Sequence, residues 1–135
     1  MTPAGDTADE AETTGNADRT VRVIGAPADY GANRRGVDMG PSAIRYAGLA
    51  AELERAGVSV VDDGDVTAPR AEERDPDTET LGPERTKFLR ETREVATRLA
   101  ARTEAALDAD ELPIVLGGDH SISIGSVTGS AQDAE

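Results

Sequence analysis

The sequence predicts an α/β protein, with a parallel sheet held between helices in a three-layer αβα sandwich. Three observations lead there. Short apolar runs recur at residues 21–24, 58–61 and 112–116. Each run is followed by a segment whose apolar residues return at helical spacing. The third run has almost no polar face, as expected of a parallel strand covered on both sides. Strands that alternate with helices imply right-handed crossovers between parallel neighbours.

Taken in order, residues 1–18 carry Asp6, Asp9, Glu10, Glu12 and Asp18, no base, and no large apolar residue after Met1. Nothing in that segment can offset the entropy of ordering, so a disordered acidic tail is expected, with the folded part over residues 19–135. Val21-Arg22-Val23-Ile24, closed by Gly25-Ala26-Pro27, reads as a buried strand. A Gly-rich loop over 28–40 follows, and Pro41 stands at a first helical position, where its missing N–H costs nothing. Over 42–56, Ile44, Ala47 and Ala51, with Leu49, Leu53 and Ala56, repeat at helical spacing until Gly57 closes the helix.

A second strand over 58–61 is expected to stop at Asp62-Asp63-Gly64-Asp65, whose carboxylates read as solvated. Residues 67–82 are charged, include Pro69 and Pro76, and read as a surface excursion. Pro83 opens a longer helix to about Leu107, with Phe88, Val95, Leu99 and Ala106 as its core stripe and Glu94 paired to Arg98 on the wet side. After the third strand, Gly117-Gly118-Asp119-His120-Ser121 turns into a final helix from Ile122 to about Ala131. Three parallel strands leave two raw edges and a central strand short of cover. The chain therefore reads as the first portion of a larger α/β domain, comprising its first three βα units.

Composition narrows the function. The 135 residues suit one domain, and 27 acids against 14 bases give a net charge of −13. That sign argues against nucleic acid and anionic membrane, which need a clustered positive field. Aromatics are 2% of the chain, too few for base-stacking platforms. The absence of cysteine excludes disulfide scaffolds, thiolate metal sites and cysteine nucleophiles. Residues 112–118 form the longest uncharged apolar stretch, far short of a membrane span, and no secretory signal pattern opens the chain. A cytoplasmic protein is expected. Lys87 is the only lysine, so arginine supplies every other base, and acid excess with so little lysine reads as a salt-adapted surface.

Ligands of open parallel sheets bind beyond the carboxyl ends of the strands, where two segments emerge. The loop after the first strand lacks both nucleotide fingerprints, Gly-x-Gly-x-x-Gly and the Gly-Lys-Ser/Thr ending, so a nucleotide-binding domain is disfavoured. Within it, Asn33, Arg34 and Asp38 could face the head group of an α-amino-acid substrate. By residue type alone they more often knit a loop to itself or to a neighbouring subunit. The second segment holds His120, the only histidine. A helix N-terminus disfavours imidazolium and keeps the ring neutral, as metal ligation requires. Asp119 beside it can accept backbone hydrogen bonds or support a ligand. A lone histidine more often caps or packs, and one imidazole cannot hold a divalent ion alone. No Gly-x-Ser-x-Gly elbow makes Ser121 a nucleophile.

At these residues the sequence resembles the arginases. Val23-Ile24-Gly25-Ala26-Pro27, the block from Arg35-Gly36-Val37-Asp38-Met39-Gly40-Pro41-Ser42 through Leu49, and Leu116-Gly117-Gly118-Asp119-His120-Ser121 stand in that family's order and spacing. Arginases belong to the ureohydrolases, with agmatinase, formiminoglutamase and guanidinobutyrase; the Gly-Gly-Asp-His-Ser motif is common to all, and the block after Gly36 is arginase-like. The resemblance implies an αβα fold around a longer parallel sheet. It also implies hydrolysis of L-arginine to L-ornithine and urea, water being activated by two Mn²⁺ ions, in an enzyme that is often a homo-oligomer. His120 would then be a ligand to one Mn²⁺, with Gly117, Gly118, Asp119 and Ser121 shaping its turn. The family's remaining ligands, an Asp-x-His-x-Asp cluster and an Asp-x-Asp pair, are expected beyond Glu135, as are the proton-shuttle histidine and most substrate contacts. The chain thus reads as an arginase cut to roughly half its usual length, with no catalytic residue of its own and inactive alone. The alternatives are a non-catalytic assembly or interaction fragment, or another ureohydrolase such as agmatinase.

Overall fold

The computed structural model describes residues 19–32, 34–74 and 88–132. The expected acidic tail, Asn33 and the helix start at Pro83 lie outside these residues. Three parallel strands, β1 (Thr20–Ala26), β2 (Ser59–Asp65) and β3 (Leu112–Gly117), lie in the order β2-β1-β3. Helices α1 (Gly40–Tyr46) and α2 (Leu49–Arg55) join β1 to β2, α3 (Leu89–Asp108) leads from β2 to β3, and α4 (Ile122–Ala131) follows β3. The chain steps from β1 to one neighbour and then crosses back over β1 to the other. Two crossovers of one hand that run in opposite directions must place their helices on opposite faces of the sheet.

The core follows that rule. Side chains alternate along β1, so Val21 and Val23 pack with Leu116, Leu49 and Leu53 on one face. Ile24 and Ala26 pack with Val95, Leu99 and Phe88 on the other. The result is the three-layer arrangement the sequence predicts. The central strand is β1, and it is better covered than expected: Val21, Val23, Ile24 and Ala26 are all buried. The two edges fall on β2 and β3, and on β3 Leu112 is 41% exposed although the strand is apolar on both faces. Helix α3 buries the predicted stripe of Phe88, Val95, Leu99 and Ala106, and Glu94 lies 3.7 Å from Arg98. Its described start is set by Phe88, which stands in the left-handed region at φ 52° and cannot continue a helix backwards.

Three expectations need correction. The single helix over 42–56 is two helices, broken at Gly48, whose φ of 98° only glycine adopts readily. The apolar spacing runs on through the break, which is why periodicity alone hides it. The second strand does not stop before its acids; β2 continues to Asp65, and its register against β1 shifts between Val23 and Gly25. Nor are those carboxylates merely solvated. Arg45 on α1 grips Asp62 with Nε and Nη2 at 2.9 and 3.0 Å and also pairs with Asp65. Asp63 receives Arg22 Nη1 at 3.2 Å, and its carbonyl accepts from Arg102 on α3 at 2.8 Å. Partial burial raises the cost of the Asp62 charge, but the Gly64 N–H and Arg45 outweigh it and hold that carboxyl below its ordinary value. Among the described residues no helix is long and apolar enough to cross a membrane.

Candidate functional site

The strand order reverses beside β1. The loop that leaves β1 goes to α1 on one face, whereas the loop that leaves β3 goes to α4, which packs on α3 at the other. Such a topological switch point opens a crevice at the carboxyl ends of the two strands. The loop from Pro27 to Gly36 and the turn from Gly118 to Ser121 meet there.

Their contact is backbone to backbone. Asp119 N–H donates to the Ala28 carbonyl at 3.1 Å. A Cβ on Gly118 would fall within contact distance of that same Ala28 oxygen and 3.1 Å from the Val37 carbonyl oxygen. A Cβ on Gly40 would meet the Gly117 carbonyl oxygen. Gly118 and Gly40 are therefore spatial necessities, because main chains approach there more closely than a side chain allows, whereas a Cβ on Gly117 would meet only the Ile122 side chain. The Asp119 carboxylate completes the junction. Its Oδ2 accepts from Gly31 N–H at 2.6 Å; its Oδ1 accepts from Ser121 N–H at 2.9 Å and from the Ser121 hydroxyl. Both oxygens are thus committed.

His120 sits between Asp119 and Ser121, exposed, and its carbonyl accepts from Ser123 N–H and the Ser123 hydroxyl at 3.1 and 2.8 Å. Its ring makes no hydrogen bond or ion pair with a described residue. It lines an open groove of about 630 Å³ with Val115, Gly117, Gly118, Ile122 and Ser126. Asp38 lies in a 3₁₀ turn, Val37–Met39, and lines a different groove, with Arg35, Met39, Arg70 and Glu72. The motif residues of the β3–α4 turn come together, whereas Asp38 lies in the other groove. Arg34 is exposed.

Sequence reasoning missed the residues that fix the loop. Asp29, not Arg34, is its buried anchor: its Oδ1 accepts from Arg35 Nη1 at 3.1 Å, and its Oδ2 is buried without a hydrogen bond. The Arg35 guanidinium lies 5.3 Å above the Phe88 ring, and Tyr30 stacks obliquely on that ring at 5.7 Å. The Tyr30 hydroxyl donates to the Pro69 carbonyl; burial, reinforced by Glu91 and Asp29, pushes its pKa up to about 12. The available signal was Asp-Tyr-Gly, separated by two residues from the end of a strand, a turn former that can turn its own carboxylate inward.

The sequence model of the arginase family matches residues 19–135, which is most of the chain. The chain belongs to the arginase family. Arginase from Brevibacillus brevis is 46% identical over 116 residues, covering 84% of this chain and 36% of that protein. Arginase from Bacillus caldovelox is 41% identical over 117 residues, 87% of this chain and 38% of the relative. The crystal structure of the Bacillus caldovelox arginase superposes with a TM-score of 0.75 at 42% identity, over 85% of this chain and 37% of the other. Arginase from Bacillus subtilis gives 0.73 at 41% identity, with 86% and 36% covered. A putative agmatinase from Clostridium difficile, at 17% identity and a TM-score of 0.58, shares the fold alone. The chain spans just over a third of the arginases it matches, less than the half expected from the motifs.

Arginases as a family imply manganese, and the donor set can be tested against it. Among the described residues no three His, Asp or Glu side chains group to hold a metal ion. Asp119 is committed elsewhere, which leaves one imidazole at the crevice. One imidazole fits one corner of a metal site and does not make a site.

Proposed function

We propose that this chain is part of an arginase that hydrolyses L-arginine to L-ornithine and urea, and that His120 supplies one imidazole ligand to its manganese. The observation that carries the reading is an exposed ring, unengaged by any described residue, at the switch-point end of β3 in a chain of this family. When bound, the metal pair would activate water for attack on the guanidinium carbon. The other ligands and most substrate contacts would come from the rest of the arginase fold. The residues here present and orient: Gly118 lets the two loops close up, Gly117 leaves room for the Ile122 side chain, and Asp119 and Ser121 hold the turn. Asn33, Arg34 and Asp38 belong to the loop that would face the α-amino-acid end of the substrate, supported by the nearness of the Val37 carbonyl to Gly118. The complete protein would be a cytoplasmic homo-oligomer with a salt-adapted surface.

The test is His120→Asn in the complete enzyme that carries this chain. Manganese retained after gel filtration and urea released from L-arginine should both fall, by more than the roughly 10- to 100-fold typical of residues that only support a ligand. Unchanged metal content and rate would refute the ligand role. Urea from agmatine rather than L-arginine would move the protein to the neighbouring activity. The 135-residue chain alone, with Mn²⁺ added, should release none.

A further inference from the structure

Two loops that leave the sheet toward opposite faces have no covalent reason to keep a fixed relation at the crevice. One residue, Asp119, ties them by main chain and side chain. Asp119 Oδ2 holds the Gly31 N–H of the β1 loop at 2.6 Å, and Oδ1 holds the Ser121 N–H of the β3–α4 turn at 2.9 Å. Both bonds join a carboxylate to a backbone donor, the stronger, charge-assisted kind. The Oδ1 bond spans Asp119 to Ser121, so it closes a short ring around the peptide of His120. Across the gap, Asp119 N–H also bonds the Ala28 carbonyl, so Asp119 is fastened to the β1 loop by both its main chain and its side chain. The His120 ring itself receives no such support from the described residues. Its direction depends on where its backbone is held.

We propose that Asp119 is a positioning residue that couples the loop after β1 to the backbone of His120, setting both against each other at the crevice. The proposal rests on the ligand role of His120. The two oxygens divide the work: Oδ2 sets the loop and Oδ1 sets the imidazole. Asparagine cannot replace them, because its NH₂ would face the N–H of either Gly31 or Ser121, donor against donor. Loss of the carboxylate should therefore free Gly31 and let His120 turn without removing a metal ligand.

In the complete enzyme, the Mn²⁺ dissociation constant is measured by competition with a fluorescent chelator, well below the unfolding temperature. Asp119→Asn should raise it about tenfold, and amide exchange at Gly31 and Ser121 should quicken together. Ser121→Ala keeps the Ser121 N–H bond and loses only the hydroxyl, so its rise should be less than about tenfold. Should Asp119→Asn fail to fold, Ser121→Ala decides: a rise above the wild-type constant supports the coupling, and a wild-type constant overturns it. If His120→Asn weakens metal binding while Asp119→Asn does not, the positioning role fails and the ligand role stands. If His120→Asn keeps the wild-type constant, the ligand role fails and takes this proposal with it.

Discussion

Glycine is used in two unrelated ways in this chain, and substitution separates them. Gly48 stands at φ 98° with nothing within 4 Å of where a Cβ would point, so its constraint is conformational. Gly118 has no positive φ; its constraint is the Ala28 carbonyl, against which a Cβ would press. Alanine at 48 should cost about 1–2 kcal/mol, the penalty of a left-handed residue. Alanine at 118 must push apart two main chains, and overpacking of that kind costs about 1–3 kcal/mol. The two losses can be similar in size, so urea midpoints alone do not distinguish them. Amide exchange does: alanine at 118 should deprotect Gly31 and Asp119, and alanine at 48 should leave both as they were. Protection at Gly31 that survives alanine at 118 would show that the loops are not wedged by that carbonyl.

Elements were legible where their pattern is local. The stripe on α3 and both ends of α4 follow from apolar spacing and a Gly-Gly turn within the segment itself. The end of β2 does not, because Asp62 and Asp65 become strand residues only when Arg45 arrives from α1. A run of acids reads as a stop until its distant arginine is known. The candidate site divides the same way: Asp119 and His120 are visible as a motif, whereas Asp29 owes its role to burial and Arg35. Helix α4 carries a feature that its own spacing does not reveal. Gly125 and Gly129 are buried one turn apart against α3, where a Cβ would lie 2.6 Å from the Ala96 carbonyl oxygen and 2.5 Å from that of Ala100. Small residues four apart let two helices approach closely. Alanine at 125 tests this by sign. On an open helix, glycine to alanine stabilises by about 1 kcal/mol. Against α3 it should instead destabilise, lowering the urea midpoint and quickening exchange in α4 before β1. A higher midpoint would mean that the two helices have room between them.

Across the whole molecule, the excess of negative charge has no counterweight in the fold. Some arginines form carboxylate pairs that knit elements together: Arg22 joins β1 to Asp63 on β2 and to Glu111 before β3, and Arg45 joins α1 to β2. Arg22 holds the Glu111 carboxyl below its ordinary value, as Gly64 and Arg45 hold Asp62. A depressed carboxylate contributes stability above its unfolded pKa and loses it only as pH falls through the folded value. Those contributions are therefore complete at pH 7 and are lost on the acid side, below the ordinary values of 4.5 and 3.8. At neutral pH, however, the net charge of −13 also repels itself in full. Salt acts on both, since screening shortens to about 3 Å at 1 M. Exposed pairs are worth little each, about 0–1 kcal/mol, and the close ones are screened least. Long-range repulsion among unpaired acids is screened most, so it should dominate the response. The melting temperature of the chain at pH 7 should rise by roughly 5 °C between about 0.1 and 2 M NaCl, a gain of about 1 kcal/mol. At about pH 4, where many acids are protonated and repulsion is smaller, the same step in salt should raise it less. A melting temperature that falls with salt at pH 7 would show that the arginine pairs outweigh the repulsion. It would also remove the case for a surface adapted to salt.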